Sequence, residues 1–308
     1  MKLSVFMVTY NHEKYIAQAL DSVLMQEVDF DYEIIVGEDC STDNTRNILL
    51  EYQQKYPYKF KLLLHDSNLG ACANFMQSFK ACSGDYMAYL EGDDYWTDTL
   101  KLQKQVDFLD AHPECAISFH NCEEFHDGGG QPFWLYCSQD QKEISKLEDL
   151  LSKCNFIPSC SVMFRNRLFQ DFPHWYCTLG IGDWTLHLLN AQFGYIGYIN
   201  DVMGRHRHHS ESTWSMRNQA QNIRDVMEAY MTINHYFNYR YNFIIKKKIA
   251  VYYRDLFVIY FKSGEKATAL KNLYYSFTVS PLSCLVSSAE LLVSFFIDRQ
   301  PMQRSFYF

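Results

Sequence analysis

Residues 86–94 read Tyr-Met-Ala-Tyr-Leu-Glu-Gly-Asp-Asp, and this stretch decides the fold expected for the chain. The mostly apolar run 86–90 is typical of a buried strand. Three carboxylates, Glu91, Asp93 and Asp94, follow within four residues. Carboxylates this close repel one another, so they indicate a divalent cation, although a helix N-cap cluster is the simpler alternative. Because ligands of open α/β sheets bind outside the carboxyl ends of strands, we predict a metal site that grips an anionic group such as a phosphate.

Strand and helix signals alternate around that stretch through the first hundred residues. Apolar runs at 3–8, 32–37 and 60–64 predict three more strands, each followed by a helix. This order predicts an α/β fold with a mixed, mainly parallel sheet flanked by helices. Parallel strands end at the same edge of a sheet, so the polar residues after the first two strands should lie near the acidic stretch: Thr9, Tyr10, Asn11 and Asp39. Asn11 is also expected to cap the first helix.

Beyond residue 97 the pattern is looser. The sequence predicts a short helix at 144–151, strands at 157–164 and 195–199, and mostly helix after 216. We therefore expect a domain at 1–215, made of the halves 1–97 and 98–215, and a C-terminal helical region at 216–308.

Composition limits the functional classes. The chain has 308 residues, of which 48% are hydrophobic, so a folded core is expected. Its net charge of −8 argues against nucleic acid as a partner. Ten cysteines without a C-x-x-C pair favour reduced thiols in a reducing, cytoplasmic compartment. We expect no signal peptide and no membrane-spanning helix; the nearest approach, 282–297, is interrupted by serines and Glu290.

Two further groups of residues could carry chemistry. Asp183 follows Gly180-Ile181-Gly182 and opens a predicted helix, so its spacing alone favours an N-cap role. Residues 205–209 read Arg-His-Arg-His-His, which concentrates cations in an acidic protein. That run indicates an anion site or a metal ligand, with an exposed polar loop as the alternative.

Five ordered segments carry a resemblance to a known family: 4–11, 33–45, 68–74, 84–86 and 91–96. Together they resemble glycosyltransferase family 2, which has the GT-A fold. The resemblance is specific over residues 3–100, moderate over 155–215 and faint beyond 216. Glu91 and Glu38 stand where the family more commonly has aspartate, and His206 stands where it often has tyrosine.

The resemblance implies roles for individual residues. Asp183 would be the general base that deprotonates the acceptor. A Mn2+ or Mg2+ cofactor would be held by Glu91, Asp93, Asp94 and His209. The nucleotide would be bound by Thr9, Tyr10, Asn11, Asp39, Asn68, Gly70, Asn74, Asp93 and Arg207.

The activity implied by the resemblance is metal-assisted glycosyl transfer by inverting single displacement. The donor would be a nucleotide-sugar, with UDP-sugar expected, and the acceptor a hydroxyl of a glycan or lipid-linked saccharide in cell-surface polysaccharide synthesis. The different-class alternative is a non-catalytic nucleotide-binding or scaffold protein. A Rossmann oxidoreductase and a pyrophosphorylase are disfavoured because the turn at 9–14 has no glycine.

The sequence of the C-terminal region allows three different contacts for this region. Lys246-Lys247-Lys248 and the aromatic residues after it could meet an anionic membrane surface. Packing on the catalytic domain and a homodimer contact are the alternatives. The expected location is therefore the cytoplasm, either free or peripherally on the inner face of the cell membrane.

Overall fold

The structure is a computed structural model that describes residues 1–128, 133–209 and 218–281. Its elements up to residue 111 are, in chain order, β1 (Leu3–Thr9), α1 (Ile16–Leu24), β2 (Tyr32–Glu38), α2 (Thr45–Lys55), β3 (Phe60–Leu64), α3 (Ala71–Lys80), β4 (Tyr86–Glu91), β5 (Tyr95–Trp96) and α4 (Lys101–Ala111). The predicted alternation of strands and helices in this half is confirmed.

The second half contains a longer sheet portion and then helices only. Its elements are β6 (Cys115–His126), β7 (Trp134–Leu135), β8 (Ile144–Ser145), α5 (Leu147–Lys153), β9 (Met163–Arg165), α6 (Gly182–Asn190), β10 (Tyr195–His208), α7 (Gln219–Tyr236), α8 (Asn242–Lys262) and α9 (Lys266–Val279). The described part of the C-terminal region is helical, and residues 282–297 lie outside the described residues.

Within the described residues, ten strands form one mixed sheet in the order β3-β2-β1-β4-β9-β6-β10-β5. β7 pairs with β6, and β8 pairs with β10, off this path. The pairs β2–β3, β1–β2, β1–β4 and β6–β10 are parallel, whereas β9 runs antiparallel to both β4 and β6. The carboxyl ends of β1, β2, β4, β6 and β10 therefore point to the same edge.

The centre of the sheet is buried on both faces. Leu3, Val5 and Met7 of β1 belong to a fully buried cluster with the apolar side of α1. On the other face Phe6 stacks on Tyr89 with ring centroids 4.9 Å apart and meets Phe75 edge-on at 5.3 Å. Each such buried large side chain contributes roughly 1.5–3 kcal/mol, so continuous apolar strands are what this position requires.

Three local expectations are wrong. Residues 144–145 form an edge strand on β10, and the helix begins only at Leu147. In the stretch 157–164, a 3-10 turn at Ser159–Ser161 precedes β9, which begins at Met163. The strand predicted at 195–199 continues to His208, because its second half pairs with β6 through register shifts after Ile199.

Asn11 does not cap α1, which begins at Ile16 after Tyr15 without a side-chain cap. Asn11 has a positive φ of 56°, and its Oδ1 accepts a hydrogen bond of 2.8 Å from the Thr42 backbone N–H. Asparagine tolerates this left-handed conformation better than most residues. Its side chain therefore holds the turn after β2 and does not stabilise the helix.

The expectation that all cysteines are reduced is wrong for one pair. Cys72, in the first turn of α3, forms a disulfide with Cys177, 105 residues later. Sequence spacing could not indicate this pair, because the two residues meet only after the sheet has formed.

The chain divides into two compact units. The first contains the described residues of 1–147, 155–177 and 182–212, and the second those of 148–154, 178–181 and 213–308. In the second unit, Tyr230 of α7 donates to the Leu151 carbonyl at 2.9 Å, and Ser276 of α9 donates to the Ala250 carbonyl of α8 at 2.7 Å. None of the helices described here is long and apolar enough to cross a membrane.

Candidate active site

The acidic turn lies at the carboxyl end of β4, against the end of β1. Glu91 is the last residue of β4 and pairs with Val8, and the Gly92 N–H donates to the Val8 carbonyl at 3.1 Å. A Cβ on Gly92 would lie 2.7 Å from His12 Nδ1 and 2.8 Å from Thr9 Oγ1. A side chain at residue 92 would force His12 and Thr9 to move, so glycine allows the acidic turn to lie close to the end of β1.

Asp94 is the most deeply placed of the three carboxylates. Its Oδ1 accepts a hydrogen bond of 2.8 Å from the Arg207 backbone N–H. Its buried Oδ2 has no hydrogen-bond partner among the residues that the structure describes. Burial raises the pKa of Asp94 well above its usual value, and the charges of Asp93 and Glu91 add to this, against the opposing effect of His206. An unpartnered carboxylate oxygen at such a place fits a cation ligand.

Glu91 and His206 complete a group around Asp94. One ligand atom from each of the three side chains lies within 4.8 Å of the others. Burial, reinforced by the charge of Asp93, raises the pKa of Glu91 to about 7. Ser159 donates to Glu91 Oε2 at 2.9 Å, which orients the carboxylate. Two carboxylates and one imidazole fit Mn2+, which accepts both oxygen and nitrogen ligands.

Asp93 and His209, the other two predicted metal ligands, pair with each other. His209 Nε2 lies 2.9 Å from Asp93 Oδ2, and His12 Nε2 lies 4.0 Å from the same oxygen. Burial alone would raise the pKa of Asp93, but the hydrogen bond to His209 and the nearby charge of His12 lower it below its usual value. The described structure thus groups His206, not His209, with Glu91 and Asp94.

His206 was not among the predicted ligands, because the family resemblance gave the metal role to His209 and placed His206 where the family often has tyrosine. In a strand, alternate residues share a face, so His206 and His208 lie on one side of β10 and Arg205 and Arg207 on the other. The alternation of arginine and histidine was the signal that could have indicated this arrangement.

Arg207 is engaged within the protein. Its Nε donates to the Asp93 carbonyl at 2.9 Å, and its two terminal nitrogens contact Asp127 at 3.0 Å and Gln18 at 2.8 Å. The guanidinium carbon also lies 4.6 Å from the centre of the Tyr15 ring. The contact with the Asp93 carbonyl holds the acidic turn in place, and the predicted role of Arg207 in nucleotide binding stays a prediction.

Asp183 lies in the first turn of α6. Its Oδ2 accepts a hydrogen bond of 2.7 Å from Asn155 Nδ2. Burial raises the pKa of Asp183, against opposing backbone hydrogen bonds and the charge of His206. The charge of Asp183 also raises the pKa of Glu91, so the two carboxylates are close enough to interact. A carboxylate with a raised pKa, next to a candidate metal cluster, can act as a general base.

Asp39, one of the residues predicted to bind the nucleotide, follows β2 at the same edge. Its two oxygens accept backbone hydrogen bonds from Leu69 at 2.7 Å and Gly70 at 3.0 Å. Asn68 Oδ1 also accepts from the Gly70 N–H at 3.0 Å. Gly70 has a φ of 84°, which favours glycine, so Asp39 and Asn68 together shape this loop.

The remaining predicted nucleotide residues differ in accessibility. Tyr10 is 42% exposed and therefore available for stacking, whereas Thr9 is buried. Asn74 is buried and links α3 to the sheet, because its Nδ2 donates to the Gly37 carbonyl at 2.9 Å and its Oδ1 contacts His65 Nε2 at 3.1 Å. Direct nucleotide contact by each of these residues stays a prediction.

Residues 4–172 match the family described as glycosyl transferase family 2. The chain belongs to glycosyltransferase family 2. An uncharacterized protein of Mycobacterium tuberculosis is 37% identical over 213 residues, which are 69% of this chain and 60% of that protein. The chain thus covers less than two thirds of that relative.

Two solved structures share the fold. Staphylococcus aureus TarS 1-349 in complex with UDP-GlcNAc aligns with a TM-score of 0.63 and 20% identity over 92% of this chain and 83% of the other. The Pyrobaculum calidifontis mannosyltransferase PcManGT, in complex with GDP-Man and Mn2+, aligns with a TM-score of 0.57 and 13% identity over 96% and 81%. The architecture is therefore the GT-A fold, as predicted. TarS is named poly(ribitol-phosphate) beta-N-acetylglucosaminyltransferase.

Proposed function

We propose that this chain is a metal-dependent glycosyltransferase that moves a sugar from a UDP-sugar to a hydroxyl group of a glycan or lipid-linked saccharide. The observation that carries this proposal is the buried group of Glu91, Asp94 and His206 at the strand edge. Asp183 supports it, because the charge of Asp183 adds to the raised pKa of Glu91. The two carboxylates of the group have raised pKa values, which a bound cation would lower.

Glu91, Asp94 and His206 would hold Mn2+, which when bound would stabilise the negative charge that develops on the leaving nucleoside diphosphate. Asp183 would accept the proton of the acceptor hydroxyl on its carboxylate while Asn155 holds that carboxylate in place. The acceptor oxygen would then bond to the anomeric carbon opposite the breaking bond to phosphate, which inverts the configuration. Asp39 would contact the nucleotide base, and the loop at residues 68–70, which Asp39 holds by hydrogen bonds, would lie beside it.

The first test is the Asp183→Asn variant. Loss of the proton acceptor is expected to lower the transfer rate by about 10²–10⁴-fold, because general base catalysis typically contributes that much. Donor binding should stay near the wild-type level, measured as the rise in melting temperature with each nucleotide-sugar and Mn2+. Asp107→Asn, on the surface of α4, is the matched control.

Retained transfer by Asp183→Asn would contradict the assignment of the base. Donor binding without transfer or hydrolysis by the wild-type chain, across a screen of nucleotide-sugars and acceptors, would favour a non-catalytic nucleotide-binding protein.

We further propose peripheral membrane contact through the second unit; the disulfide between Cys72 and Cys177 removes the support that the cysteines gave to a cytoplasmic location. Phe243 is 72% exposed at the start of α8, and Lys246 and Lys247 are exposed one turn later. Co-sedimentation with vesicles containing anionic lipid should fall in a Lys246→Glu, Lys247→Glu variant and be unaffected by Lys55→Glu on α2. Equal vesicle binding by all three proteins would contradict this contact, and a concentration-dependent dimer would favour the homodimer alternative.

A further inference from the structure

A second cluster of metal-ligating side chains lies on the neighbouring strands β6 and β10. Glu124, His206 and His208 each offer one ligand atom, and these atoms lie within 4.8 Å of one another. His206 pairs directly with Glu124 in the parallel register of β6 and β10. His208 follows two residues later and therefore shares the face of His206. The cluster is thus built by strand pairing within the sheet.

Both carboxylate oxygens of Glu124 contact polar side chains, which fix the orientation of the carboxylate. Its Oε1 lies 2.9 Å from His208 Nε2 and 3.3 Å from His206 Nδ1. Its Oε2 accepts a hydrogen bond of 2.7 Å from Trp134 Nε1, and the Trp134 ring stacks on His208 with centroids 5.7 Å apart. Glu124 is 5% exposed. Outer hydrogen bonds of this kind orient carboxylates that bind metals.

Two imidazole nitrogens and one carboxylate oxygen form a donor set that suits borderline transition metals. Zn2+ binds such ligands readily, whereas Mg2+ and Ca2+ prefer oxygen alone. We propose that Glu124, His206 and His208 form a second metal site, which takes a Zn2+-type cation. The competing interpretation is an ion-pair network in which Glu124 only holds two imidazole rings.

His206 belongs to both clusters, and this links the two sites. A cation bound by Glu124 and His208 would draw on the same imidazole that Glu91 and Asp94 share. Zn2+ at the second site should therefore weaken Mn2+ binding at the first, and by linkage Mn2+ should weaken Zn2+ binding. This consequence rests on the proposed function, whereas the second site itself does not.

The test measures Zn2+ binding to the metal-free full-length chain by calorimetry. The starting protein is the Asp94→Asn variant, so that the first cluster does not contribute. This variant should bind one Zn2+ per chain, and adding His208→Gln should weaken binding by about tenfold or more. His112→Gln is the matched control, because His112 Nδ1 contacts Glu114 Oε1 at 3.0 Å on the surface.

Absence of Zn2+ binding by Asp94→Asn, or equal affinity with and without His208→Gln, would overturn the second site and favour the ion-pair network. Should His208→Gln fail to fold, Glu124→Gln carries the same expectation, because glutamine keeps an acceptor for Trp134 but loses the anionic ligand. Visible absorption of bound Co2+ provides a readout of the ligand set that is independent of affinity. Neither measurement depends on transfer activity, so failure of this site and failure of the proposed function remain distinguishable.

Discussion

At the scale of single residues, Asp93 and Asp94 are adjacent in sequence but their pKa values shift in opposite directions. Burial raises the pKa of Asp94, whose Oδ2 has no partner among the described residues. Burial would also raise the pKa of Asp93, but His209 and His12 lower it. The charged form of Asp94 is therefore destabilised by its surroundings in the metal-free protein. The charged form of Asp93 is stabilised by His209 and His12.

This contrast predicts opposite effects of two matched substitutions. Asp94→Asn should raise the melting temperature of the metal-free chain and abolish the further rise caused by Mn2+. Asp93→Asn should lower the melting temperature, because it removes the charged partner of His209 at 2.9 Å. Each effect is expected to be about 1–3 kcal/mol in the free energy of unfolding. Urea denaturation with and without Mn2+ measures both, and a loss of stability in metal-free Asp94→Asn would contradict the interpretation.

Some of these residues could be predicted from the sequence, and others could not. Glu91, Asp93 and Asp94 could be singled out because three carboxylates directly after a strand are visible as a local pattern. Asp183 was singled out only by the family resemblance, since its spacing alone favoured an N-cap role. The pairing of Asp93 with His209, and the place of His206 beside Asp94, depend on the antiparallel pairing of β10 with β5, in which Arg205 pairs with Tyr95. No local pattern reports this pairing, because the two strands are far apart in the sequence and β10 reaches β5 only beyond the register shifts after Ile199.

At the scale of elements, α4 begins with a buried lysine. Lys101 is fully buried, and its Nζ lies 3.7 Å from the centre of the Trp96 ring in β5. Burial lowers the pKa of Lys101 from 10.5 to about 7, although Cys160 and Cys122 oppose this. The Trp96 ring makes a favourable cation–π contact with the Lys101 ammonium group. Burial of that group in the core at the start of α4 is nevertheless unfavourable for its charged form.

This burial predicts how stability depends on pH. Between pH 7 and 10.5 the unfolded chain holds a proton on Lys101 that the folded chain has released, so wild-type stability should rise with pH across this window. Lys101→Met should remove this contribution and stabilise the chain at pH 7 by up to a few kcal/mol, at about 1.4 kcal/mol per pKa unit. Urea denaturation at pH 7 and 9 measures the difference, with Lys104→Met as the control. An equal effect of Lys101→Met at both pH values would contradict the assigned pKa.

Strands that are buried on both faces could be predicted from the sequence, because their burial requires a continuous apolar run. β1, β2 and β4 are continuous apolar runs because both of their faces are covered. β10 has a mixed burial pattern, with Asn200, Asp201 and Val202 more exposed than the residues before them. That exposed segment interrupts the apolar pattern, which is why the strand was expected to end at 199.

At the scale of the whole molecule, the disulfide joins distant parts of the first unit. Cys72 and Cys177 are separated by 105 positions in the sequence, and the loop between them includes β4, β6 and β9. Closing a loop of about 100 residues stabilises the folded state by roughly 4–5 kcal/mol in the chain-entropy account. The bond also places the start of α3, next to Gly70, in fixed contact with the segment that leads to α6.

We expect Cys72→Ser, Cys177→Ser to lose a few kcal/mol of stability relative to the oxidised wild type. Dithiothreitol should destabilise the wild type and leave this variant unchanged. Denaturation under both conditions, with mass spectrometry to count free thiols, measures the effect. Cys82→Ser is the control, because Cys82 is a free thiol. Identical unfolding of wild type and double variant under oxidising conditions would contradict a stabilising bond.

The hydrogen bond from the Arg207 backbone N–H to Asp94 has a consequence for truncated fragments and chimeras of this protein. The acidic turn belongs to the first hundred residues, but its support comes from a strand more than a hundred residues later. A fragment that ends at residue 97 would carry most of the predicted nucleotide residues and lack that support. Chimeras between relatives should therefore exchange the acidic turn and the end of β10 together if they are to retain the hydrogen bond that supports Asp94.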